Sequence, residues 1–334
     1  MRRVLLTGAD GFVGRHVAAR LMAGGAAVRA VDLAFAADAD ARLEQVVASV
    51  TDRAAMREAV EGVEGVIHAA AIAELWAPTE GAHDAVNVGG TESVLAAAEA
   101  AELPFVLVSS YTTLVARDTW PGALLDERAE HDPGALLGPY PAAKRMAELA
   151  VEAAAARGLR ALSVLPSAPV GPGDRNLTPP GRMLRDLAVG RVPTLINTTL
   201  DLVDVRALAD GIVAALERGA AGQRYLLAGE GMTLGALAER VAAETGVAPP
   251  RARVPIGIAL AAARVEALIG RLTGRAPTAP LTGVRIAARR VRLDATRARN
   301  ALDFRPPPAD AALTEALAWF RREGLLGVRR GGVR

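Results

Sequence analysis

The chain has 334 residues, 51% of them hydrophobic, a length and apolar content that allow one large core with a smaller one attached and exclude a disordered or fibrous protein. Its 39 Lys and Arg nearly balance 37 Asp and Glu, and with only 3% aromatic residues there is little to stack on bases, so nucleic acid is not an expected partner. The absence of cysteine rules out disulfides and thiolate metal sites, and no metal is expected.

At the N-terminus three apolar residues run straight into Thr7 and Gly8, which is not the pattern of a secretory signal, and a cytoplasmic location is the expectation. Short apolar runs then alternate with helical patterns: strands at 4–7, 27–32, 45–50, 65–69 and 105–110, and helices at 12–23, 54–60 and 87–100. A long helix at 141–156 and a strand at 160–165 continue the rhythm. Apolar strands separated by helices predict an α/β fold, a doubly wound parallel sheet with helices on both faces.

After residue 166 the texture changes, with 13 of the 20 prolines in this part of the chain. Proline at that density builds loops, so residues 1–170 are read as the nucleotide-binding domain. Residues 171–334 are read as mainly a smaller substrate-binding region, with some chain returning to the sheet. The stretch 254–272 is the most apolar, but Pro255, Arg264 and Glu266 interrupt it, and it is too short and charged for a membrane span. It reads as an amphipathic helix lying against the core or at a membrane surface. Residues 251–334 hold 17 Arg against 6 Asp or Glu, a balance of +11, leaving −9 for the rest. That basic end is either a solvated face or one that meets an anionic substrate group or an acidic lipid surface.

The run Thr7-Gly8-Ala9-Asp10-Gly11-Phe12-Val13-Gly14 follows the first strand and opens the first helix. A diphosphate needs a tight turn, backbone without Cβ atoms and a helix N-terminus with free N–H groups, which Gly8, Gly11 and Gly14 supply. Asp32 ends the second strand, 24 positions after Gly8, where a carboxylate accepts from the adenosine ribose hydroxyls and repels a 2′-phosphate. NAD is therefore the expected cofactor, preferred over NADP. Positions 33–37 offer no cation to offset that repulsion, and Arg42 is the nearest downstream one. Ala69, Ala70 and Ala71 end the fourth strand with small residues where backbone would pass close to the cofactor; His68 reads as a packing residue.

Tyr140 and Lys144 stand four residues apart, on one face of a helix. Lys144 is the only lysine in the chain and lies beside one of three tyrosines. A compact ammonium reaches ribose hydroxyls and stabilises a phenolate, tasks a planar guanidinium performs poorly. On this reading the ammonium and the positive nicotinamide ring together bring the phenol down into working range. Ser110 is the candidate to hold the substrate oxygen at the end of the fifth strand, Thr112 is its alternative, and Ser109 packs beside the nicotinamide.

The chain resembles the extended short-chain dehydrogenase/reductases of the NAD-dependent epimerase/dehydratase superfamily. The resemblance is carried by the glycine loop, Asp32, His68-Ala69-Ala70, Asn87-Val88-x-Gly90-Thr91, Val108-Ser109-Ser110, Tyr140-x-x-x-Lys144, Pro166 and Gly171-Pro172-Gly173-Asp174. Leu75-Trp76-Ala77-Pro78 and Thr178-Pro179-Pro180-Gly181-Arg182 are similar to the hopanoid-associated sugar epimerase group, which is close to dihydroflavonol 4-reductases and 3β-hydroxysteroid dehydrogenases. It implies a catalytic triad of Ser110, Tyr140 and Lys144, and a cofactor cleft that adds Ser49, Val50, Asn87, Val108, Ser109, Pro166, Ala168 and Val170 to the loop residues. It also implies a pocket lined by 178–182 and 199–206, with Trp76, Thr112, Thr178, Arg182, Leu200 and Leu202 as substrate residues. Ser49 replaces the usual aspartate that reads the adenine amine, Ala143 the usual serine, and Asp204-Val205-Arg206 the usual Val-Asp-Asp.

The expected reaction is hydride transfer between nicotinamide and a secondary alcohol or ketone of a bulky, partly apolar substrate. A nucleotide-sugar or hopanoid-associated sugar epimerase or dehydratase with tightly held NAD uses the same parts. A cofactor-binding regulator without catalysis is the third reading. A homodimer is expected through the helices after Asn87 and Tyr140.

Overall fold

The computed structural model describes residues 2–77 and 79–326; Pro78 of the Leu75-Trp76-Ala77-Pro78 motif and the last eight residues of the basic end lie outside the described residues. In chain order β1 (Arg3–Thr7), α1 (Phe12–Ala23), β2 (Ala27–Asp32), β3 (Glu44–Val47), α2 (Arg53–Ala59) and β4 (Val66–His68) come first. A π-helical turn (Asp84–Gly89) then runs into α3 (Gly90–Ala100), followed by β5 (Phe105–Val108). β6 (Leu124–Leu125), α4 (Pro139–Ala156), β7 (Ala161–Pro166), β8 (Ala168–Val170) and α5 (Pro179–Ala188) lead to β9 (Thr194–Ile196), β10 (Thr199–Asp204) and α6 (Val205–Arg218). The chain ends with β11 (Arg224–Leu227), β12 (Glu230–Thr233), α7 (Leu234–Thr245), β13 (Ala252–Val254), α8 (Ile256–Thr273), α9 (Leu281–Arg289), β14 (Arg292–Leu293), α10 (Thr296–Leu302) and α11 (Asp310–Arg322).

Seven parallel strands form the main sheet in the order β11-β7-β5-β4-β1-β2-β3. Its central strands are buried on both faces, which is why they read as continuous apolar runs rather than alternating ones. On one face Val17 and Leu21 of α1 and Leu208 and Ile212 of α6 pack with Leu302 of α10. On the other, Met56 of α2, Val94 of α3 and Val151 of α4 form a second layer. This is the doubly wound α/β architecture the alternation predicts. Between β1 and β4 the strand order reverses, and the crevice beyond their C-terminal ends is where such sheets bind ligands.

The smaller sheet, β12-β10-β8, packs with α5, α7 and α11 around a separate cluster that includes Leu184, Leu237 and Phe320. The later chain also feeds the main sheet, through β11, α6 and α10. Three predicted strands are shorter than expected, the one at 65–69 covering only Val66–His68. The one at 45–50 stops at Val47, and Asp52 then caps α2 by accepting from Ala54 and Ala55 N–H groups. The one at 105–110 stops at Val108, because Ser110 caps a single 3-10 turn over Tyr111–Leu114.

Candidate active site

The loop between β1 and α1 is closed down on the end of β4. Gly8 takes a left-handed φ of +67°, and a Cβ there would stand 2.6 Å from the Ala70 nitrogen; one on Gly14 would stand 1.9 Å from the Gly8 carbonyl oxygen. Gly8 donates to the Val31 carbonyl at 2.9 Å and Gly11 to that of Gly8 at 3.2 Å. Gly11 begins α1 without a side-chain cap, which leaves backbone N–H groups turned to the crevice, the environment a diphosphate requires. Phe12 is buried against the His16 ring edge, and Val13 packs on the core beneath. A dinucleotide fits this cradle: nothing but glycine fits at Gly8 and Gly14, and the backbone is bare where the phosphates would approach.

Asp32 ends β2 with its carboxylate held in place, accepting from Asp10 N–H at 2.9 Å and Leu33 N–H at 2.8 Å. No cation pairs with Asp32 itself among the described residues, but two arginines pair with the carboxylates around it. Arg15, one turn into α1, lies 2.6 Å from the Asp10 carboxylate and 3.3 Å from Asp38, and Arg175 also pairs with Asp38. Spacing along the chain could not show that α1 and the loop after β8 converge on this corner. Arg42 pairs with Asp40 at 2.6 Å and does not fold back. Ser49 bonds the Thr51 hydroxyl at 2.8 Å, and Val50 is buried under Gly90, where a Cβ would meet it at 2.7 Å.

Beyond β4, Asn87 clamps the backbone of Ile72, accepting from its N–H at 2.8 Å and donating to its carbonyl at 3.1 Å, so the chain next to Ala71 is fixed by a buried side chain. His68 bridges Thr7 at 2.7 Å and Thr91 at 3.1 Å; burial, aided by the Lys144 charge, pushes it down to about 3 and keeps it neutral. It packs and carries no charge at neutral pH.

Tyr140 sits in the first turn of α4, between Pro139 and Pro141, whose fixed φ suits a helix start. Its hydroxyl is buried beside Ser110. The Ser110 hydroxyl accepts from the Thr112 hydroxyl at 3.0 Å and from Thr112 N–H at 3.2 Å, so Ser110 stands between the two other groups. Lys144 is buried one turn along and donates to the Val108 carbonyl at 2.8 Å. Burial pulls it down to about 8, opposed by Glu148. Burial pushes Tyr140 up to about 12, aided by the Glu74 and Glu148 charges and only partly opposed by Ser110. Lys144 is turned to the Val108 carbonyl and does not contribute to the Tyr140 shift. The His83 ring stands edge-on to Tyr140, centroids 5.9 Å apart.

Sequence reading missed Glu148 and Asp201. Glu148 is wholly buried one turn beyond Lys144, where it accepts from the Ser109 hydroxyl and lies 3.2 Å from both Arg145 and Arg224. The signal was a carboxylate four residues after Lys144 on the buried face of α4. Ser109 is thus bonded away from the crevice. Asp201 lies half-buried near Tyr111, pushed up to about 6 by burial. Strand alternation sends its neighbours, both proposed as substrate residues, to the other face: Leu202 is wholly buried in the small-lobe cluster and half-buried Leu200 packs against it.

Thr178 donates both its N–H and its hydroxyl, the latter at 2.7 Å, to buried Asp174, and a Cβ on Gly181 would stand 1.9 Å from that carboxylate. The Thr178–Gly181 motif is therefore a brace for the start of α5, with half-buried Arg182 beside it. Trp76 packs under α8, its Nε1 3.6 Å from where a Gly270 Cβ would be. Pro166 ends β7 beside Leu227, while Ala168 and Val170 lie buried in β8 against β10. Among the described residues no group of acidic or imidazole side chains is placed to hold a metal, and no helix is long and apolar enough to cross a membrane.

Residues 4–228 match the family model described as "NAD dependent epimerase/dehydratase family". The chain is 31% identical to sterol demethylase protein B of Methylococcus capsulatus over 96% of its own length and 99% of that protein's. It is also 31% identical to a dihydroflavonol 4-reductase-like protein of Synechocystis sp., over 96% and 94% of the two chains. The crystal structure of gox2253 superposes with a TM-score of 0.83 at 32% identity, covering 98% of this chain and 100% of that one. The chain belongs to the NAD-dependent epimerase/dehydratase family and is an NAD-dependent enzyme of the extended short-chain dehydrogenase/reductase type.

Proposed function

We propose that the protein is a cytoplasmic, homodimeric reductase that uses NAD in preference to NADP to interconvert a ketone and a secondary alcohol on a bulky, partly apolar substrate. The observation that carries this reading is the Tyr140 hydroxyl, buried beside Ser110 and pushed up to about 12. A phenol so placed is protonated at neutral pH, and in the direction of carbonyl reduction it is a proton donor ready for use. When bound, the dinucleotide supplies the hydride. Gly8, Gly11 and Gly14 hold its diphosphate, and Asp32 its adenosine ribose. Ser110 orients the substrate oxygen against Tyr140, and Lys144, still largely cationic at neutral pH, offsets the phenolate left when the proton departs. The chain's relatives include proteins named as a dihydroflavonol 4-reductase and as a ketoreductase, which supports the substrate class.

A nucleotide-sugar epimerase is the second reading, favoured by half-buried Arg182 at the start of α5, a cation suited to an anionic substrate handle. Purified protein is incubated with reduced and oxidised NAD and a panel of hydroxysteroids, ketosteroids, flavonoids and UDP-sugars. Net consumption of NADH with a ketone, lost at least a hundredfold in Tyr140→Phe while NAD binding persists, is the expected result. Isomerisation of a sugar without net redox change gives the second reading instead, and cofactor binding without turnover of any class overturns both.

A further inference from the structure

α8 is turned the wrong way round for a helix that belongs to a core. Its buried positions are the small residues Ala263 and Gly270, seven apart, while Ile258, Val265, Leu268, Ile269 and Leu272 are 50% exposed or more, Leu272 as much as 79%. Residues 258, 265, 269 and 272 fall on one stripe of the helix, with Leu268 at its border. A monomer rarely leaves so many large apolar side chains together in water, and such a stripe marks a surface that something covers.

The charge around the stripe says what kind of surface covers it. Residues 251–290 hold eight Arg and a single acidic residue, Glu266. The Glu266 carboxylate is taken up by the backbone N–H groups of Thr278, at 2.8 Å, and Ala279, at 3.2 Å. Arg264 and Arg271 line one flank of the stripe, exposed, and with Arg275 they form no ion pair among the described residues. A second copy meeting this face about a two-fold axis would set these arginines against themselves. An apolar stripe edged by arginines fits the headgroup boundary of an anionic bilayer, where the side chains enter the acyl region and the guanidiniums meet lipid phosphates.

We infer that α8 docks the enzyme on anionic membrane surfaces. The location gives the docking a use. Gly270 lies over Trp76 and Gly283 of α9 lies over Leu75, so α8 and α9 cover the loop that leaves Ala70 at the cofactor cradle. The docked helix thus stands next to the approach to Tyr140, and a lipid-soluble substrate would reach the pocket without crossing water. The docking itself does not depend on which substrate class is correct.

Full-length protein is centrifuged with vesicles of phosphatidylcholine alone and of phosphatidylcholine with an equal part of phosphatidylglycerol. Wild type is expected to pellet with the anionic vesicles, with affinity at least about tenfold lower for the neutral ones and falling as salt rises. Leu268→Asn combined with Leu272→Asn, and separately Arg264→Gln combined with Arg271→Gln, should each lose the pelleting while leaving Tm and NADH-dependent turnover of a water-soluble substrate unchanged. Wild type remaining in solution with both vesicles overturns the inference. So does pelleting of both variants like wild type, or a concentration-dependent rise in mass that the leucine variant abolishes, which would make the face a contact between copies or with a protein.

Discussion

The Ser109 hydroxyl donates to the Glu148 carboxylate, joining the end of β5 to α4 one turn beyond Lys144. Glu148 is also the charge that holds Lys144 up against burial and that lies against Arg145 and Arg224.

Glu148→Gln keeps an acceptor for Ser109 but removes the charge, so Lys144 should fall further below about 8. The alkaline limb of the kcat profile, where Lys144 loses its proton, is expected to move to lower pH. Glu148→Leu should in addition destabilise the fold by about 3–5 kcal/mol, because it leaves the buried Arg224 guanidinium without its carboxylate, while Arg145 keeps Glu152 at 2.5 Å. An alkaline limb at the same pH in wild type and Glu148→Gln would show that the carboxylate serves packing alone.

The burial of Lys144 works against stability. Its value in the fold, about 8, is below the ordinary 10.5, so the charged form is the one the fold disfavours. Stability is lost as pH falls from 10.5 through 8 and stays lost below. Lys144→Met should therefore abolish turnover yet raise the Tm of the cofactor-free protein at neutral pH by on the order of 5 °C. That gain should vanish above pH 10.5. Calorimetry at pH 7 and at high pH checks it; a lower Tm at pH 7 would contradict it.

Asp32 sets a sign for cofactor choice. Hydrogen bonds from ribose hydroxyls to a carboxylate are each worth about 1.5–3 kcal/mol, so NAD should bind at least about tenfold tighter than NADP. Because Arg15 stands beside Asp10, whose N–H donates to Asp32, Asp32→Ala should admit the 2′-phosphate and narrow or reverse the ratio. Equal or tighter NADP binding by wild type would overturn the assignment. Asp32→Ala combined with Arg15→Ala should return weak binding of both cofactors.

Met146 and Leu149 are exposed on α4, on a different helix from the docking face. If α3 and α4 pair with their copies as a four-helix bundle, Leu149→Lys should convert a dimeric mass to a monomeric one in light scattering. A monomeric mass for wild type at micromolar concentration would remove the dimer.

What the sequence determined by itself is local or periodic. The alternation of apolar runs and helical patterns specified a parallel sheet because strands buried on both faces have no other way to read. The glycine loop was legible because its three glycines, strand and helix are contiguous, and Tyr140 and Lys144 because a helix brings residues four apart onto one face. Only the tertiary structure decided the rest. Arg15 and Arg175 meet Asp38 from distant parts of the chain. Asp201 was overlooked between two leucines because a strand sends neighbours to opposite faces, and which face meets the core depends on β8 and β12 beside it. The upward push on the Tyr140 phenol comes from desolvation, a property of everything packed around it, which four residues of spacing do not contain. For α8 the apolar and basic pattern was visible, but that its small residues face inward and its large ones outward was settled by Trp76 lying under Gly270.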